Sequence, residues 1–158
     1  MSKNLFLKTK LGQTLKRTRK LSAQKLFIRI GNEEDIIELI IRFNTEGEPT
    51  SQLFELGVDS NGTDLGEYTP FTIEQKLAKG QPIDRITLKD DGGFYKSWRV
   101  KATQEGWEFS VDPIKDDTNL IEEWGEDIVG LFPPNLKRVI RILLNRYRQE
   151  TLRIIQGG

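Results

Sequence analysis

The stretch WRVKATQEGWEFSVD, residues 98–112, decides the fold class, because apolar and polar side chains alternate on both sides of a short turn. Alternation with a period of two puts every second side chain on the same face of a β-strand. Gly106 suits a three- to five-residue turn with one residue at positive φ. We therefore predict an antiparallel hairpin over about residues 97–112. Its apolar face would carry Trp98, Val100, Ala102, Trp107, Phe109 and Val111.

After the hairpin, the last segment of the chain has the strongest helical pattern. Pro133 and Pro134 fit only the start of a helix. Apolar residues then recur at the spacing of an amphipathic helix as far as Ile155. Such a helix would be about 33 Å long. Its apolar stripe would comprise Leu136, Val139, Ile140, Leu143, Leu144, Tyr147, Ile154 and Ile155.

Two shorter helices are predicted before the hairpin. Asn32 can cap a helix with an acidic first turn and four isoleucines between residues 36 and 41. A buried strand is the alternative for that run, since isoleucine is β-branched. Thr69 and Pro70 fit the cap and first position of a second helix, which Gly80 would end.

The chain divides by pattern into two parts. Residues 1–31 form a predicted basic N-terminal arm or extension, in which residues 25–30 could be a short strand. Residues 32–158 form a predicted single α+β domain ending in a long amphipathic helix. In it, a small antiparallel sheet would pack against the C-terminal helix and the 33–43 helix. The predicted core comprises Ile36, Ile40, Leu88, Trp98, Val100, Trp107, Phe109, Val139, Ile140, Leu143 and Tyr147.

The charge is distributed unevenly, although the 24 basic and 24 acidic residues cancel over 158 residues. Residues 1–30 hold nine lysines and arginines and no acid, and residues 135–158 hold six against one acid. The middle carries nine basic and 23 acidic residues. A basic–acidic–basic chain can attract copies of itself or an acidic neighbour. Alternatively, the basic ends fold over the acidic middle of the same chain.

The composition lacks the residue types that enzymes use most often in catalysis. The chain contains no cysteine and no histidine, which removes thiolate chemistry, the commonest general base and the usual zinc ligands. It has no phosphate-binding glycine loop and no nucleophile elbow. No apolar run approaches the roughly 20 residues that span a bilayer. We expect a protein that is not an enzyme, with no cofactor, no metal and no membrane contact.

Two other functions stay open. A metal-dependent nuclease could use Asp59, Asp64, Glu74 and Lys76, but Glu74 and Lys76 fall in a predicted helix rather than on a strand. A nucleic-acid-binding module could use the basic arm. DNA contact by the C-terminal helix is not expected to be specific, because no aromatic residue lies among its arginines to stack on bases.

A series of short motifs between about residues 58 and 148 resembles the virion morphogenesis (tail completion) family of tailed phages. An Asp/Gly-rich turn precedes a Thr-Ile-x-x-Lys helix, and a Leu-to-Ser block leads into the hairpin. An aromatic-Gly pair and a Gly-Leu-Phe-Pro start of the last helix follow. In this sequence the turn is residues 59–62, the helix motif is Thr72, Ile73 and Lys76, and the Leu-to-Ser block is residues 88–97. The aromatic-Gly pair is Trp124 and Gly125, and the start of the last helix is residues 130–133.

The chain departs from the family pattern in several places. Asp91 stands where the family has Thr before the key glycine. The histidine near the aromatic-Gly pair and a Pro-Ala-Arg-Pro-like stretch are missing, and residues 1–57 match nothing in the pattern.

The resemblance implies a structural virion protein, assembled in the host cytoplasm, that acts in tail completion or head–tail joining. Its partners would be further copies in a ring and neighbouring portal, connector or tail proteins. Rings require one surface to bind a different surface of the next copy. The residues expected at such an interface are Trp124, Lys16, Arg17, Arg19, Lys20, Arg141 and Arg148.

Overall fold

The computed structural model describes residues 10, 13, 22–115 and 117–156. Within these ranges the longer helices are α1 (Ala23–Gly31), α2 (Glu34–Asn44), α3 (Pro70–Ala78), α4 (Gly93–Ser97), α5 (Leu120–Trp124) and α6 (Pro133–Gln156). The strands are β1 (Arg99–Ala102), β2 (Trp107–Ser110), β3 (Ile114–Lys115) and β4 (Thr118–Asn119). A π-helical turn covers Gln52–Leu56 and a 3-10 turn covers Glu126–Ile128.

The predicted hairpin is confirmed. β1 and β2 pair antiparallel, with Val100 opposite Phe109 and Ala102 opposite Trp107. β3 and β4 form a second, two-residue antiparallel pair. The fold is therefore α+β, with small antiparallel sheets among helices. The hairpin packs against α1, α2 and α6, as expected from an apolar sheet face that must be covered.

Two clusters of buried side chains form the core. One lies between α2, the hairpin and α6 and contains Ile36, Ile40, Phe43, Val100 and Val139. The other lies among the segments that surround α4 and contains Leu53, Ile86, Leu88, Phe94, Tyr95, Trp98, Leu120 and Ile128. Phe109 contacts both clusters and so joins them.

The predicted core is correct except for Ile140. Six of its members are buried: Ile36, Ile40, Leu88, Trp98, Val100 and Val139. Trp107, Phe109, Leu143 and Tyr147 are half-buried. Ile140 is expected in the core but is 42% exposed. The preceding residue, Val139, is the one that packs against Val100 of the hairpin.

The strand suggested for residues 25–30 is wrong, since they belong to helix α1. Leu26 and Ile30 are buried one turn apart, a spacing that a helix satisfies and a strand does not. Gly31 then allows close approach to the hairpin, because a Cβ there would lie 2.7 Å from the Ala102 Cβ. The rest of the predicted arm, apart from Lys10, Gln13 and Ser22, lies outside the described residues.

The helix predicted over 33–43 is confirmed as α2, and the alternative strand is wrong. The cap assigned to Asn32 is wrong, however, because Glu33 occupies the N-cap of α2. Asn32 instead ends α1 and binds the edge of β1. α3 begins as predicted, with the Thr69 hydroxyl accepting from the Thr72 amide at 3.3 Å.

The start of α6 is fixed by buried amide side chains. Gln52 donates to the Gly130 carbonyl at 2.6 Å and accepts from the Phe132 amide at 2.8 Å. Asn135, on the first turn of α6, donates to the Thr50 carbonyl at 2.7 Å. Buried polar groups of this kind need partners, and here each one orients the helix. α6 therefore leaves the core in a fixed direction and presents one side to solvent.

Candidate functional site

The predicted interface residues fall into three groups. Lys16, Arg17, Arg19 and Lys20 lie outside the described residues. Arg141 and Arg148 are exposed on α6. Trp124 ends α5 and lines a separate pocket. The structure thus brings Arg141 and Arg148 together on one helix and places Trp124 elsewhere.

An apolar groove runs between α1, the hairpin turn and α6. Its volume is about 330 Å³. We call it the α6 groove. Its side chains are apolar apart from the Trp107 indole N–H and the Tyr147 hydroxyl, and two of them, Ile140 and Leu144, are 42% and 59% exposed. The groove is lined by Phe27, Ile30, Gly106, Trp107, Ile140, Leu143, Leu144 and Tyr147.

The apolar surface continues along α6 beyond this groove. A second hollow of about 290 Å³ contains Leu144, Arg148 and Leu152, and Leu152 is itself exposed. Arg141, Leu144 and Arg148 are separated by three and four residues, which puts them on one helix face. Neither arginine takes part in an ion pair among the described residues. An exposed leucine therefore lies between two available guanidinium groups.

A second open surface combines apolar and acidic residues. The hollow measures about 630 Å³ and lies between the end of the hairpin, α5 and the 3-10 turn. We call it the acidic depression. Glu126 and Asp127 are exposed at its side, and no described residue forms an ion pair with either. It is lined by Phe109, Ser110, Val111, Ile121, Glu126, Asp127 and Val129.

Trp124 belongs to a third feature, a polar pocket of about 310 Å³ around Lys76 on α3. We call it the Lys76 pocket. The residues that line it are Glu67, Tyr68, Thr69, Thr72, Lys76, Ile86, Leu88, Lys115, Thr118, Leu120, Glu123 and Trp124.

The Lys76 side chain is an unusual feature of this pocket, since lysine is seldom buried without a carboxylate partner. Only 4% of Lys76 is exposed. Its ammonium donates to the Gln81 side-chain oxygen at 2.7 Å and to the Lys89 carbonyl oxygen. Burial, followed by the positive charge of Lys115, lowers the pKa of Lys76 to about 8. The ammonium is therefore held by neutral oxygens in a site that disfavours its charge.

The residues of the nuclease alternative serve local roles. The Asp59 carboxylate accepts from the Asn61 and Thr63 amides, both at 2.8 Å, and Asp64 accepts from the Gly66 amide at 2.6 Å. Glu74 is exposed on α3. Over the described ranges, no three acidic side chains come together in a way that could hold a metal ion.

No helix among the described residues combines the length and apolar character needed to cross a bilayer. Comparison with protein-family models, with curated proteins and with solved structures returned no significant match.

Three features of these surfaces are not predicted by the sequence pattern. The α1 side of the α6 groove is not predicted, because the pattern of residues 25–30 suggests a short strand, although the four-residue spacing of Leu26 and Ile30 indicates a helix. The acidic depression is not predicted, because it joins the hairpin to residues that follow 10 or more positions later. Burial of Lys76 left no sequence signal, since a lysine in the last turn of a helix usually stabilises the helix dipole from solvent.

Proposed function

We propose that this chain is a structural protein of a tailed-phage virion that assembles with further copies of itself into a ring during tail completion or head–tail joining. The observation that carries the proposal is the α6 groove, an apolar surface with Ile140 and Leu144 exposed on a helix whose orientation is fixed. Exposed apolar surface of this kind is typical of protein contact sites.

The occupant of the α6 groove in this proposal is a second copy of the chain. Charge supports this choice, because Arg141 and Arg148 share a helix face with Leu144 of the groove, while Glu126 and Asp127 line the acidic depression. The two surfaces share no residue, so a contact between them is heterologous and can be repeated around a ring. Opposite charges around an apolar centre fix the register and speed the encounter.

The uneven charge along the sequence supports the same arrangement. The acidic depression lies in the acidic middle of the chain, and α6 supplies most of the basic C-terminal segment. Lys16, Arg17, Arg19 and Lys20 would add to the attraction from the basic N-terminal segment. Portal, connector or tail proteins are the neighbours that such a ring would bind.

The groove-to-depression contact is tested by charge reversal. In one variant Arg141 and Arg148 become Glu, and in the other Glu126 and Asp127 become Arg. We expect each variant alone to lose self-association in sedimentation velocity, while an equimolar mixture regains it, because each variant still holds one native surface. A control variant, Lys101→Glu, changes an exposed residue of β1 outside both surfaces. Wild-type assembly unchanged in both double variants would overturn this contact.

The role in a particle is tested by imaging a virion that contains this chain. A closed ring of copies at the head–tail junction or tail end is the expected result. One copy without contact to another, or a two-fold dimer, would overturn the proposal.

A further inference from the structure

Lys76 is a buried cation whose hydrogen-bond partners among the described residues are all neutral. Its ammonium binds the Gln81 side-chain oxygen and the Lys89 carbonyl, and lies 5.4 Å from the centre of the Tyr68 ring. Buried ammonium groups are normally paired with carboxylates, since desolvation of an unpaired charge is costly. Asp90, the acid whose charge favours the ammonium, is itself bound by Lys79.

A second lysine lines the same pocket. Lys115 on β3 takes part in no ion pair among the described residues, and its charge acts on Lys76. Glu67 and Glu123 also line the pocket, but neither is paired with either lysine. Two cations and two carboxylates thus face one cavity without neutralising one another. The cavity is therefore suited to a ligand that carries both an anion and hydrogen-bond donors.

Trp124 and Tyr68 add aromatic surface to the cavity, and Thr69, Thr72 and Thr118 add hydroxyl groups. A volume of about 310 Å³ suits a single amino-acid side chain with its flanking peptide groups rather than a large cofactor. An acidic residue within a polypeptide matches this chemistry. Its carboxylate would face Lys76 and Lys115, and its peptide N–H groups would face Glu67 and Glu123.

We propose that the Lys76 pocket binds an acidic side chain of a partner polypeptide. The pocket is separate from the α6 groove and the acidic depression, and shares no lining residue with either. The proposal therefore does not depend on self-association.

The test is an NMR titration at pH 7 with N-acetyl-glutamate N-methylamide, beside its neutral isostere N-acetyl-glutamine N-methylamide. We expect saturable shifts of the Trp124 indole and Thr72 amide signals, with the acidic probe binding at least tenfold more tightly. Equal binding of the two probes would overturn the proposal. The same shifts in a sulfate titration would also overturn the proposal, because the binding would then reflect a general anion effect.

Two variants locate the binding. Lys76→Met should abolish the preference for the acidic probe, and Lys115→Gln, which removes the charge of a half-exposed residue, should weaken binding at least threefold. Lys101→Gln, outside the pocket, should leave binding unchanged. Acidic-probe binding that survives both Lys76→Met and Lys115→Gln would overturn the assignment.

Discussion

The side chain of Asn32 pairs with the backbone of Ala102 at both polar groups, donating to its carbonyl oxygen at 2.9 Å and accepting from its amide at 2.9 Å. Seventy positions separate the two residues. The carboxamide takes the place that the backbone of a further strand would have beside β1. It therefore covers part of an otherwise open sheet edge and ties the end of α1 to the hairpin.

Asn32→Ala should destabilise the fold by about 1–3 kcal/mol, because the Ala102 amide and carbonyl lose their partners in a half-buried site. Asn32→Asp should cost at least as much, since a carboxylate cannot donate to the carbonyl oxygens of Ala102 and Ile28 that the amide binds. Urea unfolding of the three proteins measures both differences. A loss below about 0.5 kcal/mol in both variants would show that the pairing contributes little.

This pairing also shows what the sequence can and cannot predict. Asn32 precedes an acidic helical turn, so local pattern indicates a helix cap. Its true partner is Ala102, and no local pattern refers to a residue so far away. The hairpin and α6 were predictable because their signals, period two and helical spacing, lie within one segment. The orientation of each element depends on long-range contacts instead. Ile140, expected in the core, is therefore exposed, and the burial of Lys76 was not predicted.

The surfaces were partly predictable. Helical spacing already placed Arg141 and Arg148 off the apolar stripe, and both are exposed on α6. That Leu144 lies exposed between them depends on where α1 packs. The position of Trp124 beside Lys76 depends on loops between α3 and α5, whose course has no periodic signal in the sequence.

A second prediction concerns Arg146, which binds Glu33 and Asp35 at the start of α2. Arg146→Met should lower the unfolding free energy by about 0.5–1 kcal/mol, a modest amount because all three side chains are partly exposed. High salt should reduce the difference. Arg141→Met, on the same helix without an ion pair among the described residues, is the control and should change stability by less than about 0.5 kcal/mol.

The same interaction predicts a pH dependence. The hydrogen bond from Arg146 holds the pKa of Asp35 below its ordinary value of 3.8. A carboxyl group with a lowered folded-state pKa stabilises the fold above the unfolded-state value and loses this contribution as pH falls through the folded-state value. The difference between wild type and Arg146→Met should therefore be constant above about pH 5 and shrink below pH 3.8. A difference that grows on acidification would contradict this assignment.

A third prediction is that Lys76→Met stabilises the isolated protein by about 1–2 kcal/mol at pH 7, since an apolar side chain replaces a desolvated charge. The oxygens that lose the ammonium belong to the half-exposed residues Gln81 and Lys89 and can bind water. With about 2–4 °C per kcal/mol for a chain of this size, the melting temperature should rise by several degrees.

The advantage of Lys76→Met should shrink at high pH. The pKa of Lys76 is about 8 in the folded state and 10.5 at its ordinary value. Between these values the unfolded wild type holds a proton that the folded protein has released, so wild-type stability rises with pH. The variant lacks this group and should show no such rise. If the stability curves of wild type and Lys76→Met run parallel from pH 7 to 10.5, burial does not disfavour the charge of the Lys76 ammonium.

The last prediction concerns Leu144, for which the chain offers a matched control. Leu144 and Leu77 are both leucines on helices and both 59% exposed, but only Leu144 lies in the α6 groove. Leu144→Glu should weaken self-association at least tenfold, since burial of a leucine contributes about 1.5–3 kcal/mol and each 1.4 kcal/mol is tenfold in affinity. Leu77→Glu should leave self-association unchanged, and both variants should melt near the wild-type temperature.

Salt separates the apolar and charged parts of that contact. Charges at the edge of an interface are screened over about 8 Å at physiological ionic strength and about 3 Å at 1 M. Wild-type association should therefore weaken at 1 M salt without disappearing, because the contact of Leu144 and Ile140 is not screened. The remaining association at 1 M salt should be lost in Leu144→Glu and kept in Arg141→Gln. If Leu77→Glu and Leu144→Glu weaken association equally, the α6 groove is not the contact surface, and an apolar face of α3 becomes the better candidate.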